Sequence, residues 1–512
     1  MRYNLRQNFV VKFFTFTAFA LFMLAAVELQ ARDVGLKGPP EGVRPVVQSP
    51  GLAFEGVPPA HFEVPLGFEI SKQHHEELKI AGPPPFPVGG SQIVVDSNIT
   101  PVPSEQVLFP GPEPTFWIPY DAAVAVGPNH VVAMVNASWA AYNKAGTLVK
   151  NTSFTTWWGT SGIPLNPATP FDPKCYYDPS LGGHFVLLAT SSGNNVANMY
   201  VSVSQTDDPT GLWWSYTFDW RLDGTVLTKN WGDYPGLGYS DSAIYINANQ
   251  YRRNSFQYSK VRVLSKAALY TGASATYTDF IRMTNADGTL AFTVKPARCL
   301  SASASEYLIN TRPGGGSSVT LWRIDGAPSA PVLTRVAGVS TGSYAVPPDA
   351  RQAGGSNLVA TNDCRTQDVV WRNGVLYTAF TEGVSAQAAL RYLEITSAGI
   401  KNKDMTYMGS TGIHLYYPAV TSDSTGNVVM VFNRSGSSEY ISMYSTKMPS
   451  GSTSVFGSSS LLVAGNTYMI QSRWGDYSAI QNDDANNGAW LMAGTARNSS
   501  TWATDIVFAS MP

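Results

Sequence analysis

From residue 115 onward, short apolar runs alternate with polar turn signals along the chain. The runs are rich in Val, Ile, Tyr, Phe and Met, which are favoured at buried strand positions. Turn signals such as Gly127–Asn129, Asn373–Gly374 and Asp423–Gly426 separate them. No long amphipathic helical pattern interrupts residues 115–512. The pattern therefore predicts an all-β structure.

One unit recurs seven times: a polar or aromatic anchor segment that opens a first strand, a turn, and a second apolar strand. The anchor segments are Tyr120–Asp121, Phe171–Cys175, Trp231–Tyr234, Pro296–Cys299, Arg365–Asp368, Tyr416–Ala419 and Trp474–Tyr477. The third and seventh share the sequence WGDY. Successive anchors are about 50 to 70 residues apart, which leaves room for a four-stranded blade and a loop. The repeats predict a seven-bladed β-propeller over residues 115–512. A β-sandwich, or two unrelated β-domains, is the alternative.

Residues 32–114 differ from the rest because they hold 16 of the 34 prolines. Proline excludes regular helix and central strand, so this stretch is interpreted as an extended N-terminal arm. The seventh repeat contains only three strand candidates, and an open sheet edge is a liability. We expect the strand-like segment Gln92–Val95 to complete the last blade. A short helix is predicted over Ser71–Ile80, where His74–Glu77 is interpreted as a solvated face rather than a metal site.

Residues 1–31 are typical of a secretory signal peptide. Arg2, Arg6 and Lys12 precede the charge-free run Phe13–Val27, which is short for a membrane anchor. We therefore expect a secreted protein, extracellular or periplasmic, with no membrane span after cleavage.

In an oxidising compartment, the three cysteines permit one disulfide. Cys299 and Cys364 lie in consecutive repeats, so the prediction is a Cys299–Cys364 disulfide with Cys175 free.

The composition narrows the function classes. Only 14% of the residues are charged, which argues against a coiled coil and against charge-driven disorder. The 34 basic residues are balanced by 36 acidic ones, so a basic nucleic-acid-binding surface is not expected. The 25 tyrosines and 13 tryptophans suit surfaces that hold sugars.

Five segments together resemble a widespread group of secreted bacterial β-propeller proteins. The segments are Asp121–Asn136 (DAAVAVGPNHVVAMVN), Asp172–Asp178, Ser204–Trp213, Gly232–Gly238 and Trp474–Ala479. The resemblance covers about residues 115–512 and implies a propeller fold and secretion, but the group has no assigned common activity. Ser204–Trp213 is also similar to the Asp box of sialidase-like propellers, which is a folding turn without chemistry of its own. The Arg-Ile-Pro motif that opens many sialidases does not occur in this sequence.

In a propeller, the anchor segments would converge on one axial mouth. The candidate catalytic residues there are Asp233, Asp476, Tyr417 and His414. Two carboxylates about 5–10 Å apart permit glycoside hydrolysis, and a Tyr or His base permits β-elimination from a uronate. Guanidinium groups bind carboxylate or sulfate, and tyrosine rings stack on sugars. The candidate ligand-binding residues are Arg298, Arg365, Arg473, Tyr177, Tyr234 and Tyr477. Alternatively, the same polar residues bond to the backbone of the neighbouring blade.

The sequence contains no CxxC, GxSxG, HExxH or P-loop pattern, so neither a cofactor nor a metal site is expected. Asn482–Asn487 is acidic but lacks EF-hand spacing, which favours a solvated turn over structural calcium. The leading hypothesis is a monomer that recognises an extracellular, anionic glycan or cell-surface polymer at the mouth. One alternative is a glycan-degrading enzyme, either a glycoside hydrolase or a polysaccharide lyase. Another is a structural or adhesion module with protein partners.

Overall fold

The computed structural model confirms an all-β propeller. It describes residues 35–48, 91–96, 107–115, 117–159, 163, 165, 169–193, 195–253, 255–498 and 501–512. The predicted signal peptide and the predicted helix Ser71–Ile80 lie outside the described residues. None of the helices in the described part of the chain is long and apolar enough to cross a membrane.

The N-terminal arm contributes four short strands, and two four-stranded repeats follow it. The arm strands are β1 (Leu36–Lys37), β2 (Val46–Gln48), β3 (Gln92–Val95) and β4 (Val107–Pro110). The first repeat holds β5 (Ala123–Val126), β6 (His130–Val135), β7 (Ser138–Asn143) and β8 (Leu148–Ser153), followed by helix α1 (Phe154–Gly159). The second holds β9 (Phe171–Asp178), β10 (His184–Gly193), β11 (Val196–Ser204) and β12 (Trp213–Asp219).

The third and fourth repeats carry the additional elements of the ring. A small hairpin of β13 (Leu222–Asp223) and β14 (Val226–Leu227) precedes them. The third repeat holds β15 (Trp231–Tyr239), β16 (Ala243–Arg252), β17 (Ser255–Ser265), helix α2 (Lys266–Tyr270) and β18 (Tyr277–Phe280). The fourth holds β19 (Lys295–Pro296), β20 (Arg298–Cys299), β21 (Glu306–Asn310), β22 (Gly316–Asp325) and β23 (Val332–Tyr344).

The last three repeats are regular four-stranded units, except that the seventh has three strands of its own. The fifth repeat holds β24 (Asp368–Arg372), β25 (Val375–Val384), β26 (Gln387–Thr396) and β27 (Lys401–Met408). The sixth holds β28 (Ile413–Ser422), β29 (Val428–Gly436), β30 (Glu439–Met448) and β31 (Ser460–Val463). The seventh holds β32 (Ala479–Asp483), β33 (Gly488–Asn498) and β34 (Thr501–Ser510).

The expected count of seven separate blades is wrong. Five repeats form blades of four or five strands: the first, second, fourth, sixth and seventh. The third and fifth repeats belong instead to one eleven-stranded sheet. The short strand β20 causes this fusion because it pairs in parallel with β15 on one side and with β24 on the other. The inner strand of the fourth repeat is divided into two short strands, β19 and β20. The repeat pattern in the sequence does not indicate this division.

The arm closes the last blade, but with a different strand from the expected one. Gln92–Val95 pairs in parallel with β27 of the fifth repeat, so its assignment to the last blade is wrong. Val107–Pro110 pairs with β34 and supplies the fourth strand of that blade. Proline is tolerated there because an edge strand leaves one row of N–H groups without ladder partners. The open edge is thus covered by a segment that precedes the first repeat.

The core lies between neighbouring sheets and is rich in aromatic side chains. Trp139, Trp157 and Trp213 pack together between the first and second repeats, with ring centroids 4.8–5.6 Å apart. Tyr120 packs against Trp474, with centroids 5.5 Å apart, where the last repeat meets the first. Burial of each such ring stabilises the fold by about 1.5–3 kcal/mol. Inner and central strands such as β5 and β29 are therefore buried on both faces, which explains their continuous apolar runs.

The predicted Cys299–Cys364 disulfide is absent, and that prediction is wrong. All three cysteines are free and buried. The Cys364 thiol donates to the Ala345 carbonyl oxygen at 2.9 Å, and the Cys299 thiol faces Glu306 at 3.8 Å. Similar positions in consecutive repeats therefore did not bring the two sulfur atoms within bonding distance.

Candidate active site at the axial mouth

In four of the seven repeats, the anchor segment contains an irregular turn of the backbone. Asp121, Asp172, Tyr234 and Tyr417 have positive φ angles of 46°, 51°, 54° and 56°. In three of the inner strands the following residue is proline, which cannot donate a ladder hydrogen bond, and the strand bulges there. Such strained positions cluster at functional sites.

Hydrogen bonds between neighbouring repeats fix the anchors. The Asp172 N–H donates to Asn136 Oδ1 at 2.7 Å, and the Tyr234 N–H donates to Asp172 Oδ2 at 3.1 Å. The Asp476 N–H donates to Asp121 Oδ1 at 2.9 Å, which joins the last repeat to the first. These contacts match the alternative interpretation of the anchor aspartates, namely bonding to the neighbouring blade's backbone. Asn136 was missed because an asparagine at the end of an apolar strand resembles an ordinary turn residue.

Three carboxyl groups meet at the mouth. Oxygen atoms of Asp121, Asp172 and Asp476 lie within 4.8 Å of one another, and all three residues are buried. Arg473 Nη2 binds Asp476 Oδ2 at 2.7 Å, and the Asn362 side chain donates to Asp476 Oδ1 at 2.6 Å. Oxygen ligands of this kind suit hard cations. However, each carboxyl group already accepts hydrogen bonds from the protein.

Asp233 differs from these three aspartates in its exposure and in its hydrogen bonding. It is partly exposed, and its carboxyl group accepts no hydrogen bond from any described residue. Burial, followed by repulsion from Asp172, raises its pKa to about 8, against the attraction of Arg365. Burial and the charge of Asp476 also raise the pKa of Asp172, to about 6. Asp233 is therefore a carboxylic acid that holds its proton near neutral pH, and it stands beside the more acidic Asp172.

All three predicted arginines are paired within the chain. Arg365 forms a bidentate pair with Asp363, with two N–O distances of 2.9 Å. Arg473 pairs with Asp476. Arg298 binds Asp368 Oδ2 at 2.8 Å and the Ile480 carbonyl oxygen.

The arginines do not all face the same end of the channel, contrary to expectation. Arg365 and Arg473 both lie near enough to Asp233 to favour its charged form. Arg298 lies opposite Tyr239, at the far end of β15 from Asp233. Two of the three guanidinium groups therefore belong to the mouth, and the third lies deeper in the channel.

The predicted tyrosines also divide into two groups. The rings of Tyr234 and Tyr477 pack edge to face near the mouth, with centroids 5.6 Å apart. Tyr177 lies at the end of β9 away from Asp172, and its ring packs on Phe185 with a centroid distance of 4.9 Å. All three are buried, so none offers an open face of the kind that stacks on a sugar.

Tyr417 and His414 are placed unsuitably for the expected base. The Tyr417 hydroxyl donates to the Ala360 carbonyl oxygen at 2.7 Å, and its N–H donates to Thr381. His414 is buried and accepts a hydrogen bond from the Ala388 N–H at 3.2 Å. Burial lowers the pKa of His414 to about 4, so the ring is neutral at physiological pH.

Below the mouth, a small cavity of about 50 Å³ lies on the axis of the ring. The inner strands of six repeats line it, and its charged lining residues are Lys174, Lys295, Arg298 and Asp368. Typical small-molecule sites have volumes of about 300–1,000 Å³, so this cavity is too small for a sugar ring. The two lysines were missed by the sequence analysis. Each lysine lies two residues after a residue with a positive φ angle, Asp172 or Thr293, a relation that only the structure shows.

The acidic run Asn482–Asn487 forms the turn between β32 and β33. Asp483 binds Lys144 Nζ at 2.8 Å, and Asp484 binds Arg372 at 2.7 Å. The carboxylates of this turn are therefore engaged in ion pairs with neighbouring repeats.

No protein-family model matches the chain, and no curated protein matches its sequence. Among solved structures, it is similar to the α-L-arabinofuranosidase Arb93A from Fusarium graminearum, with 10% identity and a TM-score of 0.37 over 70% of this chain and 98% of that chain. An α-L-arabinanase from Penicillium chrysogenum gives 10% identity and a TM-score of 0.37 over 80% and 99% of the two chains. A protein of unknown function from Dyadobacter fermentans gives 10% identity and 0.37 over 80% and 100%.

Proposed function

We propose that the chain is a glycoside hydrolase that acts at the axial mouth, with Asp233 as the proton donor and Asp476 as the second carboxylate. The observation that carries this proposal is the position of Asp233, which is partly exposed beside a set of buried carboxyl groups. A general acid must hold its proton at the working pH and reach the leaving-group oxygen. Asp233 meets the first condition because burial and Asp172 raise its pKa to about 8.

The pairing of the arginines favours a neutral glycan over an anionic one. Arg365 and Arg473 already bind Asp363 and Asp476, so a ligand carboxylate or sulfate would have to displace an internal partner. The elimination chemistry of a lyase needs a neutralised uronate and a free base. The Tyr417 hydroxyl is engaged with a backbone carbonyl, which argues against that role.

A second candidate function is recognition of a glycan without turnover. It is favoured by the hydrogen bonds from Asp121 and Asp172 to the backbone of neighbouring repeats, because these carboxyl groups serve the scaffold. Both candidates use the same mouth, and they differ only in whether a bond in the glycan is cleaved.

The test is release of reducing ends from a panel of neutral, uronate-containing and sulfated polysaccharides. We expect neutral members to be cleaved, and Asp233→Asn to lower kcat by at least about 100-fold, the usual contribution of a general acid. KM should change little, because the amide preserves the shape of the side chain. Asp505→Asn is the matched control, since Asp505 is a buried carboxyl group with a raised pKa in β34 that pairs with Arg497.

Each other result has a defined meaning. Unchanged turnover in Asp233→Asn would reject Asp233 as the proton donor. Saturable binding by the wild-type protein, with no reducing ends from any substrate, would support recognition instead. If neither binding nor turnover occurs across the panel, the structural or adhesion class gains support and the glycan proposal fails.

A further inference from the structure

The axial cavity gathers hydrogen-bond donors that the protein itself does not satisfy. Lys295 Nζ and Gln367 Nε2 are buried, line the cavity and have no acceptor among the described residues. The side-chain oxygen of Gln367 accepts a hydrogen bond from the Thr381 hydroxyl at 2.9 Å. This contact fixes the orientation of the amide, and the NH₂ group is left without an acceptor. A buried donor left without an acceptor costs about 1–3 kcal/mol, so two at one cavity point to a ligand that accepts hydrogen bonds.

Positive charge is in excess around this cavity. Lys174, Lys295 and Arg298 line it, and Asp368 is the one acidic residue among its lining residues. Asp368 already binds Arg298 at 2.8 Å and accepts from the Val420 N–H at 3.0 Å. Within the described part of the chain, no carboxylate lies within salt-bridge distance of either lysine ammonium group. Neither lysine therefore has an ion-pair partner among these residues, and the charges of Asp121, Asp172 and Asp368 act on Lys174 only from a distance.

Two tyrosine rings pack against the lysine amino groups. Burial lowers the pKa of Lys295 to about 8, and burial followed by the charge of Lys295 lowers the pKa of Lys174 well below its usual range. Lys295 Nζ lies 4.8 Å from the centroid of Tyr234 and 5.9 Å from that of Tyr477, and Lys174 Nζ lies over the Tyr477 ring. Aromatic faces attract ammonium groups rather than neutral amines. The shared Tyr477 ring also keeps the two amino groups close together, so an anion beside them would favour the charged form of both lysines.

We propose that this cavity binds a small monovalent inorganic anion of the size of chloride. The volume of about 50 Å³ admits an ion or a few water molecules, because about 10–15 Å³ of such space holds one water. Water satisfies the donors but brings no charge, whereas a halide accepts hydrogen bonds and also offsets one positive charge. The anion joins the inner strands of the second, fourth and fifth repeats through Lys174, Lys295 and Gln367. The anion therefore acts as a structural ion of the ring. This role is independent of the proposed hydrolase activity.

The direct test uses the wild-type protein, crystallised without halide and exposed to bromide at concentrations near physiological chloride. Anomalous diffraction at the bromine edge should give a peak in the axial cavity, within hydrogen-bond distance of Lys295 Nζ. Bromide peaks at surface sites alone would mean an adventitious ion only and would overturn the proposal. Because no substitution is involved, the result does not depend on a variant that folds.

The second test measures thermal unfolding while chloride replaces gluconate at constant ionic strength. Tm should rise by a few degrees and saturate, because a ligand that binds only the folded state stabilises it by mass action. Lys295→Met should abolish the rise. Lys403→Met is the matched control, since Lys403 is a buried lysine in an outer strand that donates to two backbone carbonyl groups and should leave the chloride effect intact. Equal rises in both variants would overturn the proposal.

Discussion

The mouth and the axial cavity are two levels of the same channel, and they solve the problem of buried polar groups in opposite ways. At the mouth, backbone N–H groups donate to carboxyl groups of the neighbouring repeat, as the Asp476 N–H does to Asp121. At the cavity, Lys295 and Gln367 present donors that find no acceptor among the described residues. Contacts at the mouth therefore join the last repeat to the first and close the ring, whereas the cavity needs a ligand to satisfy its donors.

The mouth and the cavity differ in which backbone N–H groups are available to bind side chains. At the mouth, bulges and positive φ angles turn N–H groups away from the strand ladder and toward carboxyl groups. At the level of the cavity, the inner strands resume regular pairing, so their N–H groups are used in the ladder. Only side chains then reach the axis, and two of them are lysines, which have no acceptor atoms.

The largest expected effect is that of Asp121→Ala at the mouth. This substitution removes the acceptor of the Asp476 N–H and one of the two acceptors of the Asn136 amide, which keeps the Pro119 carbonyl oxygen. One backbone N–H and one amide hydrogen would be left unsatisfied in the buried site, so we expect a loss of roughly 2–5 kcal/mol in the free energy of unfolding. Urea denaturation followed by tryptophan fluorescence measures it.

Asp121→Asn serves as the control for this prediction, because it retains one carbonyl oxygen and the volume of the side chain. Burial, followed by repulsion from Asp476 and Asp172, raises the pKa of Asp121 well above its usual range, so a neutral amide suits this site better than a charged group does. The amide variant should lose clearly less stability than Asp121→Ala. Equal losses would mean that the contact between the last and first repeats depends on shape rather than on these hydrogen bonds.

A smaller effect is the pH dependence of stability that Asp233 introduces. Its pKa is about 8 in the folded chain, and an aspartate in an unfolded chain has a pKa of about 3.9. The folded state therefore binds the proton more tightly, and the free energy of unfolding should fall as the pH rises from about 4 to 8. Asp172, with a pKa of about 6, contributes to the lower half of this range.

Asp233→Asn isolates this effect between pH 6 and 8. We expect a flatter profile of the free energy of unfolding in this variant than in the wild-type protein. Asp287→Asn is the control, because hydrogen bonds from Thr289 and Arg312 lower the pKa of Asp287 to about 2, so its titration lies below this range. The same slope in Asp233→Asn as in wild type would show that Asp233 is already ionised and would remove it as a proton donor.

Much of the ring could be predicted from the sequence because its signals are local. Alternating apolar runs and turn residues indicate strands, and the anchors locate the inner strands. The ion pair Arg473–Asp476 is local, because its partners are three residues apart, whereas Arg298 binds Asp368 70 residues further along the chain. Arg365 forms its ion pair with Asp363, two residues earlier, because the bend of the chain there presents both carboxylate oxygens to one guanidinium group.

The features that sequence could not supply depend on contacts across the ring. Whether Gln92–Val95 or Val107–Pro110 closes the last blade depends on which sheet edge each segment reaches, and both are short apolar runs. Lys174 and Lys295 resemble ordinary strand residues along the chain, and only the closed ring brings them to one cavity. The carboxyl trio at the mouth likewise combines residues from three repeats.

The smallest expected effect concerns the thiols, which are present at both levels of the channel. Cys175 lines the axial cavity, and Cys364 lies beside Arg365 near the mouth. Burial raises the pKa of both thiols, so neither forms the reactive thiolate in the folded chain. A reducing agent should leave Tm unchanged, and a thiol reagent should react with three cysteines only after unfolding. Modification of Cys175 in the native state would mean that the axial cavity opens to bulky reagents, and such a cavity could not select a halide by size.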